Sequence, residues 1–159
     1  MPTSTPVTRA LDAAGVAYTL HLHDHRVTSL EQAASERGLR PGQIVRSLVF
    51  RSEEGSFLIV LAPGPQQVSW PKLRRHLRVS RLTTATPEEV QRVTGYPPGA
   101  VSPLGLATAV RILADQTLRQ EQTVSIGAGI RDAGVVLQTE DLLRLVRPEM
   151  GDFLEISNP

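Results

Sequence analysis

Three histidines and an aspartate crowd into His21-Leu22-His23-Asp24-His25. In an extended strand the three imidazoles fall on one face, as metal ligands would. A zinc site built there needs a further, distant ligand, and the remaining histidine is His76. The competing reading is a solvated strand face with polar alternation. Ser102 and Ser125 are the residue type for nucleophilic catalysis, but neither sits in a G-x-S-x-G elbow. Gly127-Ala128-Gly129 looks like part of a phosphate-cradling loop without the third glycine of G-x-G-x-x-G. It reads either as a strand-ending turn or as backbone that lines a ligand. Lys72, Arg74, Arg75, His76, Arg78 and Arg81 form a basic run. As a helix, this run offers phosphates several contacts from one side, or is simply a wet helix surface. The most unusual stretch is Thr94 to Gly105, with three glycines and three prolines in twelve positions. Prolines stiffen such a loop, and glycines let bare backbone approach a ligand.

What is missing narrows the chemistry. The 159 residues contain no cysteine, which excludes a disulfide framework, thiolate zinc sites and a cysteine nucleophile. A net charge of +1 gives no global attraction to nucleic acid, so any RNA contact has to come from a local basic patch. Met1 to Pro6 lacks a basic and apolar leader, and the apolar run Phe57 to Ala62 is too short to span a bilayer. The expected location is the cytoplasm, with no membrane partner. Hydrophobic residues make up 40% of the chain and aromatic ones 4%, so a globular core has to be aliphatic.

The elements that position these residues are well punctuated. Thr5 caps a first helix with Pro6 in its first turn, Val7, Ala10, Leu11 and Ala14 on one face, and Gly15 as its stop. Tyr18, Leu20 and Leu22 alternate as a strand. Thr28-Ser29-Leu30-Glu31 reads as a capping box opening a second helix that stops at Gly38. The runs Ile44 to Arg51 and Phe57 to Ala62 read as a hairpin joined through Gly55. A third helix covers Trp70 to Leu77, and Thr86-Pro87-Glu88-Glu89 opens a fourth that Gly95 closes. Strand-like pieces follow at Ala109–Leu113, Thr123–Ile126 and Val135–Gln138, then a helix from Thr139 to about Arg147. Irregular interspersion of helices and strands predicts an α+β (mixed α/β) class. The expectation is one domain over residues 1–159, a mixed β-sheet with helices packed on it.

Gly95-Tyr96 followed by Gly99-Ala100-Val101-Ser102-Pro103-Leu104-Gly105 resembles the G-x-x-x-P loop of the YbaK-like family. That family comprises the editing domain inserted in bacterial prolyl-tRNA synthetases and its free-standing relatives. Thr28 to Ala34 resembles the family's early helix, and Pro41 to Phe50 its lysine-bearing strand. Gly127 to Leu137, followed by Thr139 to Leu145, resembles its late glycine turn, strand and helix. The resemblance covers nearly the whole chain.

It implies hydrolytic editing, in which a second site clears small amino acids that a synthetase cannot reject by binding alone. The implied substrates are alanine or cysteine wrongly attached to tRNA(Pro), cleaved at the 3′-terminal ester without metal, cofactor or protein nucleophile. For cysteine, the substrate's own thiol is an alternative attacker. The implied partners are the acceptor end of mischarged tRNA and prolyl-tRNA synthetase; DNA is not expected. The implied catalytic set is Arg46 with Gly99, Ala100, Val101, Ser102 and Pro103. The loop's N–H groups would stabilise the oxyanion or orient the ribose hydroxyl, and Arg46 would clamp phosphate or carbonyl. Thr28, Gly127, Ala128, Gly129, Arg75 and Arg78 are the expected substrate-binding residues. Arg46 stands where the family carries lysine: the charge is kept, but as a planar fork that does not deprotonate. The alternatives are a non-catalytic module binding tRNA or a synthetase, and a metal-dependent hydrolase built on His21, His23 and His25.

Overall fold

Hydroxyl caps and first-turn prolines set most of the helix starts. The computed structural model describes residues 3–156, so Met1 and Pro2 of the N-terminal stretch lie outside it. Helix α1, Pro6–Ala13, begins where Thr5 and Thr8 cap each other: Thr8 N donates to Thr5 Oγ1 at 3.2 Å and Thr5 N to Thr8 Oγ1 at 2.9 Å. Strand β1 is Tyr18–Leu22, and helix α2 is Leu30–Glu36. The cap of α2 lies one residue later than expected. Ser29 Oγ accepts from Gln32 N at 3.0 Å, while Gln32 Oε1 reaches back to Thr28 N at 2.9 Å. Gln32 therefore bonds the backbone one residue before the Ser29 cap, in place of the Ser29 N–H that a closed S-x-x-Q box would use.

The predicted hairpin is present as β2, Val45–Ser52, and β3, Phe57–Pro63, paired from Val45↔Pro63 to Arg51↔Phe57. Helix α3 follows at Trp70–Leu77, strand β4 at Leu82–Thr84, and helix α4 at Pro87–Thr94 behind a reciprocal Thr86/Glu89 box. Strand β5 is Arg111–Asp115, two residues later than expected. Then come β6, Thr123–Gly127, β7, Ala133–Gln138, helix α5, Thr139–Val146, and β8, Glu149–Gly151. Strands β4 and β8 have three residues each, too few for periodicity to announce.

The strands form two sheets. One is mixed, in the order β4-β2-β3-β5-β8, with β5 parallel to both β3 and β8; the other is antiparallel, β1-β7-β6. Val45, Val49, Ile59 and Leu61 on one face of the mixed sheet share a core with Val124, Ile126, Val135, α1 and Leu142 of α5. On its other face Phe50, Leu58 and Val60 pack against Leu73 of α3 and Phe153. Full burial of each such aliphatic side chain contributes about 1.5–3 kcal/mol.

One gap in this framework positions the site. Strand β4 pairs with Phe50–Ser52 of β2, and the ladder link to the other sheet on this side is the isolated Ile44↔Ser125 bridge just before β2. Between them, among the described residues, the outer edge of β2 has no strand beside it. Val49 O accepts from Ala85 N at 3.0 Å on that edge, so by alternation Ser47 also turns its N–H and C=O outward.

Candidate active-site groove

The loop after α4 rises over this open edge and is held from both ends. Gly95 ends α4 at φ 82°, a left-handed turn that favours glycine. Tyr96 is 2% exposed, and its hydroxyl donates to Leu104 O at 2.5 Å, with Gly105 O at 3.1 Å. Burial pushes the phenol up to about 12, so it stays a donor at neutral pH. The late glycine turn is the seat of the loop. Gly129 N donates to Ala100 O at 3.1 Å, and any side chain on Gly127 would drive into the Val101 carbonyl.

Loop and strand edge enclose a groove of three adjoining lobes. The first, about 370 Å³, is lined by Arg46, Phe50, Gln67, Trp70, Pro98 and Gly99, among others. The second, about 290 Å³, shares Arg46 and Ser47 with the first and adds Ala33, Arg37, Ile44, Ser125 and Ala133. The third, about 720 Å³, is walled by Arg26, Arg37, Arg131 and Asp132. Gly99 borders all three.

Arg46 and the loop residues Gly99 and Val101 line the same lobes. Arg46 Nη2 donates to Gln66 O, while its Nε is buried without a partner. Burial lowers its pKa, yet a guanidinium stays charged at any ordinary pH. Of the expected loop residues Gly99 to Pro103, Gly99 and Val101 reach the groove, beside Pro98. Ala100, Ser102 and Pro103 are buried beneath it, Ser102 Oγ accepts from Leu104 N at 3.2 Å, and Ala100 N donates to Pro97 O at 3.0 Å. The N–H groups of Gly99 and Val101 donate to no backbone carbonyl among the described residues.

The expected binding residues are dispersed. Gly127 borders the second lobe, Ala128 is fully buried, and Gly129 packs under the Tyr96 ring. Thr28 is exposed beside α2 and donates its hydroxyl to Gln32. Arg75 and Arg78 are exposed on and just after α3, outside the groove. Lys72 is committed to Asp152 at 2.9 Å and His76 contacts Glu149 at 3.3 Å, so the basic run is not one continuous phosphate-binding face.

The histidine segment is neither a simple wet face nor a metal cage. Strand β1 ends at Leu22, and the His23 side chain turns fully inward. Its Nε2 accepts from Arg37 Nε at 3.1 Å, which leaves Nδ1–H to donate to Glu36 Oε1 at 2.8 Å. Both ring nitrogens are thus occupied by protein. Glu36 Oε2 meets His25 Nε2 at 2.8 Å, and Asp24 meets His25 Nδ1 at 2.5 Å. Among the described residues no group of three or more histidine, cysteine or acidic side chains is placed to hold a metal. No histidine bonds either serine: Ser125 Oγ accepts from Arg37 Nη1 at 2.9 Å.

Sequence reasoning missed Arg37 and Trp70. Arg37 is held by His23, Ser125 and Ala133 O, with its guanidinium against the bare Gly134 backbone, a tertiary arrangement without local signature. Trp70 is the sole tryptophan; it packs edge-on against Phe50 at 5.2 Å and lines the first lobe. That singularity was the available signal.

Residues 24–145 match the family model of the aminoacyl-tRNA editing domain. The chain belongs to that family. It is similar to the proline–tRNA ligase of Kosmotoga olearia, 37% identical over 101 residues, covering 64% of this chain and 17% of the ligase. It is 29% identical over 134 residues to the multifunctional Ser/Thr-tRNA deacylase ProXp-y of Escherichia coli, covering 81% of this chain and 80% of the deacylase. A solved structure of a candidate trans-editing enzyme for prolyl tRNA synthetase superimposes with a TM-score of 0.86 at 30% identity, covering 98% of this chain and all of that one. The editing-domain chain thus spans under a fifth of the ligase and most of the deacylase. Among the described residues no helix is long and apolar enough to cross a membrane.

Proposed function

We propose that this editing domain hydrolyses the ester between a small, wrongly attached amino acid and the 3′-terminal ribose of tRNA. The observation that carries the reading is that Arg46, Gly99 and Val101 line the same two lobes of one groove at the open edge of β2. As water adds to the ester carbonyl, the N–H groups of Gly99 and Val101, which donate to no backbone carbonyl among the described residues, would be free to bond the negative charge forming on its oxygen. Arg46 adds a charge-assisted contact to the carbonyl or the adjacent phosphate. Trp70 gives the terminal adenine a face for stacking. The second lobe, about 290 Å³ with mixed aliphatic and polar walls, has room for a small side chain.

Alanine or cysteine carried by tRNA(Pro) is the first substrate reading. Serine or threonine is the second, favoured by the name of the Escherichia coli relative and by Ser47 Oγ, which is buried without a partner beside the lobe. A site built around an unpaired hydroxyl discriminates strongly for a ligand that satisfies it. Prolyl-tRNA synthetase is the proposed protein partner and the cytoplasm the proposed location. The test is deacylation of a panel of Ala-, Cys-, Ser- and Thr-tRNAs, with tRNA(Pro) and the cognate tRNAs as carriers. Hydrolysis of at least one, with correctly charged Pro-tRNA(Pro) spared, is expected; a panel left intact contradicts the reading.

A further inference from the structure

The third lobe of the groove carries more positive charge than one aminoacyl ester can use. Arg26, Arg37 and Arg131 surround a space of about 720 Å³ that borders Gly99. Among the described residues none of the three forms an ion pair with a carboxylate. The one acid in the lobe, Asp132, has Oδ1 engaged by Val27 N at 2.9 Å. Arg37 is aimed by the protein. Three of its N–H groups go to His23, Ser125 and Ala133 O, out of the five a guanidinium carries, so two remain for a ligand. Arg131 lies beside the loop, with Nε 3.3 Å from Pro98 O, and Arg26 is exposed.

Several guanidinium groups spread along an open lobe suit a chain of phosphates better than a single anion. The lobe also adjoins the place where the ester would sit, whereas Arg75 and Arg78 do not line the groove. We infer that the Arg26–Arg37–Arg131 lobe holds the phosphodiester backbone of the single-stranded RNA 3′ end leading to the ester. This rests on the reading of the groove as a tRNA-editing site. His23 and Glu36 keep Arg37 turned toward that backbone.

The test reads binding without catalysis. A fluorescent single-stranded RNA ending in CCA is titrated by anisotropy over a range of salt against wild type, Arg26→Ala, the double variant Arg26→Ala/Arg131→Ala, and Arg75→Ala/Arg78→Ala. The same oligonucleotide with neutral methylphosphonate linkages serves as the second probe. Each lost contact to a single strand lowers the slope of log K against log salt by about 0.7, so the double variant should lose about 1.4 and bind about tenfold more weakly. Arg26→Ala, whose side chain makes no internal hydrogen bond in the structure, should lose about half the slope change, and the neutral probe should not tell the variants from wild type. No binding by wild type at low salt, an unchanged slope in the double variant, or a loss confined to Arg75→Ala/Arg78→Ala overturns the inference. RNA binding through the lobe with no deacylation of any panel substrate would retain the lobe and discard the hydrolytic reading. Deacylation with an unaltered slope would do the reverse.

Discussion

Arg46 shares its strand face with Leu48 and Phe50, where an unpartnered charge is costly. It meets that cost in two ways, giving Nη2 to Gln66 O and opening onto two lobes of the groove. Arg46→Ala should reduce single-turnover deacylation about 10²–10³-fold, comparable to removing one oxyanion-type donor. Arg46→Lys restores the residue that the family carries and should retain activity. Gly99 stands at φ 88° with open space where a side chain would point. Gly99→Val therefore has two effects. It places bulk in the groove, and it forces a β-branched residue into a left-handed conformation at a cost of about 1–2 kcal/mol. Lost activity should come with a lowered melting midpoint, measurable in the same preparation.

At the scale of elements, two small polar assemblies hold the groove in shape. Tyr96 staples the loop; Tyr96→Phe leaves the Leu104 carbonyl without its buried donor and should destabilise the fold by about 1–3 kcal/mol in denaturant titration. An unchanged unfolding midpoint would show that the loop stands without the staple. Beneath the third lobe, Glu36 joins His23 and His25. Hydrogen bonds from His25 and then His23 hold the Glu36 carboxyl down at about 2, and its bonds to Glu36 and then Asp24 raise the His25 imidazole. The Glu36 contribution is present above the ordinary value of 4.5 and fades as pH falls toward about 2. The His25 contribution is complete below the ordinary 6.5 and fades as pH rises through its elevated folded value. The gap in melting midpoint between wild type and His25→Ala should be widest between these two ordinary values and shrink on both sides. A gap that widens steadily above pH 7 would contradict the ion pair.

Elements with local punctuation were legible in the sequence. Thr5-Pro6, Thr86-Pro87 and the Gly55 hairpin each fix the chain within a few residues. The shift of the α2 cap arose because Thr28 and Ser29 are both competent caps, and Ser29 Oγ takes the Gln32 N–H while the Gln32 side chain holds Thr28. Strands β4 and β8 are defined by neighbours distant in sequence, as is the pairing of Arg37 with His23 and Ser125. The loop was readable as a stiff, glycine-bearing segment able to line a groove, but not which of its residues face inward. Its burial follows from the Gly127–Gly129 seat and the Tyr96 staple, both made by tertiary contact.

For the whole molecule, the proposed function implies one continuous path: phosphates would lie in the arginine lobe, the ester between Gly99 and Arg46, the adenine at Trp70, and the amino acid in the second lobe. Since both His23 nitrogens are engaged within the protein, chelator treatment should leave the deacylation rate unchanged. Activity lost to chelator and restored by zinc would return the histidines to the chemistry. The most direct test of the central claim is single-turnover deacylation of the best panel substrate by wild type, Arg46→Ala and Arg46→Lys. The account predicts a loss of about 10²–10³-fold for alanine and near-wild-type hydrolysis for lysine; hydrolysis by Arg46→Ala at the wild-type rate would contradict it.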